Sequence, residues 1–240
     1  MKWFVLVLVG CARAGSADID SGVVHQDTQV KLDGSMLVDA PGTQTRTLAQ
    51  TNVQTIKAAT SLACGSSSGP GTAANNYYRV FDLAAYGITT DFHVTKVSFQ
   101  VEACHSYISG NGAAVAVRVG TYSGTPGATL SSASMVVLAS NATVMVPEVI
   151  ESGTPPTTPG GTVDAPITAT IPAGSKLFVE VDAPDGTNRY YFYMGANDGG
   201  ETGFGYVLAP VCNITSPKNI SSVNTSFPNV NLLLTVTGTI

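Results

Sequence analysis

From residue 77 to the C-terminus the chain alternates short apolar runs with turn-forming residues. The runs are "YYRVFDL", "VTKVSFQVEA", "AAVAVRVGTY", "TLSSASMVVLA", "ATVMVPEVI", "DAPITATIP", "SKLFVEVDAP", "RYYFYMG" and "NVNLLLTVTG". They are rich in β-branched and aromatic residues, and Gly, Pro, Asn and Asp separate them at the spacing expected of a sandwich. Within the runs the period is two. Val97, Phe99 and Val101 fall on one face, and Lys96, Ser98, Gln100 and Glu102 on the other. Lys176, Phe178 and Glu180 oppose Leu177, Val179 and Val181 in the same way, with Phe178 reaching a second layer. No segment carries a helical period. The pattern therefore predicts an all-β fold, a two-sheet antiparallel β-sandwich of jelly-roll-like form with an N-terminal extended segment. In "NNYYRVFDLAAYGI", residues 75–88, it predicts the first core strand.

Ahead of this regular part the chain divides by composition. Residues 1–17, with Lys2 before an apolar run and small residues after it, read as an export signal. The run is too short to cross a bilayer as a helix, which takes about 20 apolar residues. "LVGC" resembles a bacterial lipobox, which would make Cys11 a lipidation site; cleavage after Ala14 or Ala17 is the competing reading and the one taken. Residues 18–61 are polar and form an extension with one strand in "GVVHQDTQVKL" and a weaker one in "SMLVDA". The sandwich then occupies residues 62–240. "ACGSSSGPGTAANN" opens it as a loop, and residues 152–162, "SGTPPTTPGGT", form an exposed loop between neighbouring strands.

The 240 residues suit one sandwich domain with extensions. Charged residues make up 11% of the chain, against roughly 25% in a typical soluble domain, which favours a secreted or cell-surface β protein. A net charge of −5, from 16 acidic and 11 basic residues, gives no electrostatic basis for binding nucleic acid. Membrane contact is expected only through the signal or a lipid anchor.

Taken in order, "NNYYRVFDLAAYGIT", "VTKVSFQVE", "ATIPAGSKLFVEVDAPDG", "YFYMGANDGGETGFGYVLAPVCNIT" and "SFPNVNLLLTVTG" resemble a β-sandwich, jelly-roll-like module of secreted and cell-surface bacterial multidomain proteins. The resemblance runs from about residue 62 to the C-terminus. It implies extracellular or surface work and little more, since such modules accompany proteases, adhesins and anchored proteins alike. It also implies a disulfide: family members carry one Cys before the "NNYYR" strand and one in the "APVCNIT" segment, which match Cys64 and Cys212. Cys104 is then a small buried residue or the partner of Cys11. Two features depart from the family: the Pro-rich loop is longer, and the module forms nearly the whole protein.

Several residues are candidates for chemistry. Arg79 has two readings, a clamp for a carboxylate or sugar and a sheet-rim arginine paired with Asp82, Glu102 or a carbonyl; the second is taken. The histidines, His25, His93 and His105, sit in unrelated loops or strand ends, and no serine is read in a Gly-x-Ser-x-Gly elbow, so no hydrolytic triad is predicted. Cys104 and His105 are neighbours on a strand and point to opposite faces. No cofactor is predicted, with calcium as the exception worth placing. "DAPDGTN", with Asp182, Asp185 and Asn188, and "NDGGE", with Asn197, Asp198 and Glu201, offer oxygen ligands on loops, although such sequences also simply make turns. In "NRYYFYMG", Tyr190, Tyr191 and Tyr193 are candidate sugar-stacking residues, one face of that strand being core. Asn141, Asn213, Asn219 and Asn224 begin glycosylation sequons and mark surface loops.

The functional expectation is a non-enzymatic extracellular structural protein. It self-associates as a filament, coat or adhesive subunit through its sandwich and an N-terminal strand added to a neighbour's sheet edge. Its alternative is a carbohydrate-binding module, calcium-stabilised, with surface glycans as partners. A third reading is an accessory domain of a secreted hydrolase.

Overall fold

A computed structural model describes residues 43–108, 112–149, 160–223 and 230–240. In chain order the strands are β1 Thr45–Ala49, β2 Asn75–Asp82, β3 Phe92–Ser106, β4 Ala113–Tyr122, β5 Met135–Val146, β6 Thr162–Ile171, β7 Lys176–Ala183, β8 Tyr190–Met194, β9 Ala196–Asn197, β10 Gly205–Ala209, β11 Ile214–Asn219, β12 Asn231–Leu232 and β13 Leu234–Thr239. Among the described residues the only helical elements are short 3-10 turns. The signal-like segment, the strands read within residues 22–40, Cys11 and Asn224 lie outside the described residues, as does most of the loop at 152–162.

Two antiparallel sheets form the sandwich. One has the order β1-β13-β3-β6, with β8 also paired to β3; the other runs β11-β10-β2-β7-β4-β5, and β9 and β12 form a short separate ladder. The length of β3 explains the branched first sheet. Its leading half pairs with β13 and β6, and its trailing half, from Val101 onward, pairs with β8 across a bulge between Val101 and Ala103. Between the sheets lie Leu48, Tyr77, Phe81, Val97, Phe99, Val117, Val119, Val179, Phe192 and Val236, all buried. β6 follows the period of two along its whole length, every second side chain buried. Burying such alternating faces against each other supplies the main driving force for the fold.

The sandwich begins earlier than residue 62. β1 aligns with β13 from Thr45 opposite Thr239 to Ala49 opposite Thr235, so the compact unit is Gln44–Ile240. "NNYYRVFDLAAYGI" is therefore the second strand of the sandwich, and it is shorter than its apolar run: Asp82 caps a 3-10 turn, Leu83–Tyr86, which Gly87 closes at φ 71°. The predicted runs "TLSSASMVVLA" and "ATVMVPEVI" are one continuous strand, β5, preceded by a loop.

The second sheet is covered on its outward side as well. Tyr78, Val80, Tyr122, Leu130, Phe178 and Tyr206 form a second buried cluster there, which is the second layer expected of Phe178. The chain between β4 and β5 folds across this face, where the Leu130 amide donates to the Pro217 carbonyl at 2.8 Å and Ala128 O accepts from Asn219 N at 2.9 Å. Gly120 lets β4 and β5 approach closely beside Phe178: a Cβ there would stand 1.9 Å from the Val136 carbonyl oxygen and 2.7 Å from the Phe178 ring.

Burying so many phenols has a pH consequence. Burial raises the pKa of Tyr77, Tyr78 and Tyr86, and pushes Tyr190 and Tyr206 up to about 12. An unfolded chain ionises its tyrosines near pH 10, so between about pH 10 and 12 the unfolded state holds fewer protons than the native one and stability falls as pH rises. The urea midpoint is expected to drop between pH 9 and pH 11, with phenolate absorbance appearing in step with unfolding. An unchanged midpoint would contradict this.

Candidate binding surfaces

Arg79 is fully buried, which corrects its assignment to the sheet rim. It lies between Tyr77 and Phe81 on the inward face of β2, and a bare guanidinium could not stay there. Its partners come from three distant places. Nη1 donates to Gln50 Oε1 at 3.0 Å and to the Gly203 carbonyl at 2.7 Å; Nη2 donates to Glu201 Oε2 at 2.9 Å and to the Leu232 carbonyl at 2.8 Å. Neither Asp82 nor Glu102 is among them. Burial pulls the guanidinium's pKa down against the opposing pull of Glu201, and burial likewise raises the Glu201 carboxyl. Arg79 is thus a structural tie between the segment after β1, the loop before β10 and the β12–β13 link. Glu102, expected on the outward face, sits at the β3 bulge and accepts from the Ala59 and Ser61 amides and the Ser61 hydroxyl.

An aromatic cluster stands on the outward face of the β3–β8 pair. Registering His105 opposite Tyr191, and Ala103 opposite Tyr193, puts Tyr191 and Tyr193 on the face of His105, while Cys104 and Phe192 pair on the core side. His105 lies edge-on to Tyr107 at 5.3 Å and tilted to Tyr191 at 5.7 Å; Tyr107 and Tyr191 are 6.1 Å apart, and Tyr191 and Tyr193 5.6 Å. These are favourable separations for edge and tilted ring pairs. Glu148 Oε1 lies 2.8 Å from His105 Nδ1 and anchors the ring from the side. Tyr190 does not join the cluster: it packs against the core, and its hydroxyl donates to the Pro184 carbonyl. The sequence reading missed His105, Tyr107 and Glu148; the i, i+2 spacing of His105 and Tyr107 on one strand was the available signal. Cys104 is a free thiol in the core, its pKa pushed up to about 11 by burial, and it faces away from His105.

The oxygen ligands named on the two loops are engaged separately. Asp182 pairs with Arg118 at 2.9 Å, Asp185 accepts from the Thr187 amide and hydroxyl, and Asn188 occupies a left-handed turn at φ 58°. Asn197 is buried and donates to the Val53 and Thr55 carbonyls, Asp198 pairs with Lys57, and Glu201 holds Arg79. No three His, Cys, Asp or Glu side chains converge as a metal site among the described residues. The sequons also diverge from the surface-loop expectation. Asn141 lies within β5 and donates to the Pro166 carbonyl, and Asn219 is buried, its side chain capping the turn at Ile220–Ser222. Asn213 is exposed in a turn. Residues 65–69, "GSSSG", do match Gly-x-Ser-x-Gly in letters, yet they form a bend leading to β2 and not a strand-to-helix elbow.

Cys64 and Cys212 form the disulfide, their Cα atoms 5.9 Å apart across a sequence separation of 148. The buried Asn75 side chain holds the Cys64 loop in place: its Oδ1 accepts from the Cys64 amide at 2.8 Å and its Nδ2 donates to the Cys64 and Ala73 carbonyls.

β5 is the last strand of the six-stranded sheet. Val136, Val137 and Leu138 are consecutive on it and 57%, 50% and 46% exposed, and Met145 is 57% exposed. The strand contains no charged residue and no proline, the devices by which sheet edges usually refuse further strands.

No protein-family model and no curated protein matches the chain. A solved structure resembles part of it: the cysteine protease and lectin-like domains of Cwp84, a surface layer associated protein of Clostridium difficile. That likeness has 14% identity and a TM-score of 0.43, covering 70% of this chain and 32% of that one. The chain therefore spans about a third of the length of that structure, and a likeness of this depth assigns it neither ligand nor activity.

Proposed function

We propose that this chain is an exported structural subunit that self-associates when a strand from a neighbouring copy adds to the open β5 edge. The row of exposed aliphatic side chains on an uncharged terminal strand carries the reading, because unpaired main-chain groups flanked by apolar side chains template strand addition. The strand supplied is the one the sequence predicts in residues 22–32, so the extension does for a neighbour what β1 does for its own sheet. Export to the cell surface or beyond fits the disulfide, a bond that persists in oxidising compartments. No helix among the described residues is long and apolar enough to cross a membrane.

Sedimentation velocity across a concentration series tests the proposal. The intact chain is expected to grow well beyond 24.6 kDa, and Val137→Lys, which places a charge on the edge, to stay monomeric. Deleting residues 1–42, ahead of the compact unit, is expected to have the same effect. A wild type that is monomeric at all concentrations would sink the proposal. Assembly that survives the deletion but not Val137→Lys would make β5 of the second copy the added strand.

The ring cluster supports a second reading, in which the β3–β8 face binds surface glycans by stacking a pyranose on Tyr107, the most exposed of its tyrosines at 46%. Glycan-array binding, measured with calcium and again with chelator, is expected to fall about tenfold or more on Tyr107→Ala. An array without hits in either condition would remove this reading.

A further inference from the structure

The tyrosines of the chain differ sharply in what can reach them. All nine lie among the described residues. Tyr77, Tyr78, Tyr122 and Tyr206 are buried; Tyr86 and Tyr190 are half-buried, their hydroxyls donating to the Ala49 and Pro184 carbonyls at 2.7 and 2.9 Å. Burial also raises the pKa of Tyr77, Tyr78, Tyr86, Tyr190 and Tyr206, so these phenols keep their protons and lie out of reach of a second molecule. Tyr107 is the one exposed tyrosine, at 46%. It is not an isolated ring. Tyr191 stands 6.1 Å from it and Tyr193 5.6 Å from Tyr191, both half-buried. His105, held by Glu148, packs against both Tyr107 and Tyr191 and keeps the two rings together. Three phenols in contact thus end at a single ring that another copy can touch.

We propose that Tyr107 is an oxidative cross-linking site, at which two copies of the chain are joined through a dityrosine bond, with hydrogen peroxide as oxidant and a haem peroxidase as its catalyst. Each Tyr107 phenol loses one electron and its hydroxyl proton, which passes to water at the exposed surface. The two radicals join through ring carbons ortho to oxygen, and the hydrogens displaced from those carbons return to the oxygens and restore the phenols. Peroxide takes up the two electrons and two protons, its O–O bond breaks, and two waters leave. Tyr191 and Tyr193 widen the target: an electron taken from either is replaced from Tyr107 through the touching rings, so oxidation collected on this face ends where a second copy can meet it. The reaction requires neither strand addition at β5 nor a bound sugar. In an assembly it would make the contact between copies covalent.

Treating the full chain with peroxide and a haem peroxidase tests it, read by denaturing electrophoresis under reductant, dityrosine fluorescence and peptide mass spectrometry. The expected product is a covalent dimer linked from Tyr107 to Tyr107. Tyr107→Phe keeps the ring and removes the phenol, so the dimer should be lost while the thermal midpoint matches the wild type. Val53 is 44% exposed and stands outside the ring cluster. Adding Val53→Tyr to Tyr107→Phe therefore supplies an equally open phenol without neighbouring rings, and it should dimerise about fivefold more slowly than the wild type. Tyr191→Phe with Tyr193→Phe should slow the wild-type reaction to a similar degree. Dimers that persist in Tyr107→Phe, a tyrosine at position 53 that couples as fast as Tyr107, or no covalent dimer under conditions that couple free N-acetyltyrosine would each overturn the proposal.

Discussion

Replacing Arg79 with methionine is expected to lower folding stability by about 3–5 kcal/mol, the range for breaking one side of a buried ion pair. Methionine fills much of the volume, so a void is not the main cost. The loss arises because Glu201 keeps a carboxylate facing the interior without its cation, and the Gln50 Oε1 and the Gly203 and Leu232 carbonyls lose their donor. Burial already raises the Glu201 pKa, with Arg79 opposing that rise. Removing Arg79 should therefore leave Glu201 protonated at higher pH, which gives the variant a pH signature. Glu201→Gln on top of Arg79→Met should recover part of the loss, because the stranded charge is gone. Urea unfolding of the two single variants and the double variant supplies the cycle. A loss below about 1 kcal/mol for Arg79→Met would show that the guanidinium is not a structural tie.

Opening the Cys64–Cys212 bond is expected to cost nearly as much. The bond closes most of the sandwich into one loop, and the chain-entropy relation gives about 5 kcal/mol for a loop of this length, with 2–5 kcal/mol usual for native bonds in secreted domains. Asn75 should soften the effect locally, since its side chain holds the Cys64 loop independently of the sulfurs. A reductant is expected to lower the thermal midpoint of the wild type and to leave that of the Cys64→Ala, Cys212→Ala variant unchanged at its already reduced value. Cys104, buried in the core with its pKa pushed up to about 11, should remain unmodified by thiol reagents until the chain unfolds. A wild-type midpoint indifferent to reductant would contradict the contribution assigned to the bond.

Strands whose two faces differ were readable from sequence, and strands defined by their neighbours were not. β6 alternates without a break and β3 does so from Lys96 to Val101, so the period of two exposed them directly. β1 has one buried side chain in five and exists because β13 offers an edge. β5 read as two runs because its solvent-facing polar stretch, "ASNAT", interrupts the apolar pattern of an edge strand that is mostly exposed. At the candidate sites the limit was distance along the chain. Tyr191 and Tyr193 share a face by local spacing, but His105 reaches them only through the β3–β8 register. The acidic and amide residues of "DAPDGTN" and "NDGGE" are close in sequence, yet their partners, among them Arg118, Lys57 and Arg79, lie far away and draw them apart. Arg79 read as a rim residue for the same reason, since the Glu201, Gly203 and Leu232 contacts that permit its burial are separated from it by 122 to 153 residues.

Amide hydrogen exchange of the intact chain as a function of concentration tests strand addition at β5 most directly. Val136, Val137 and Leu138 carry exposed side chains of the open edge, and those of residues 136–138 whose amides point away from β4 should exchange quickly in dilute protein and become protected as concentration rises. β3 and β7, already paired on both sides, should not change. Exchange at residues 136–138 that is the same at every concentration would contradict assembly through this edge.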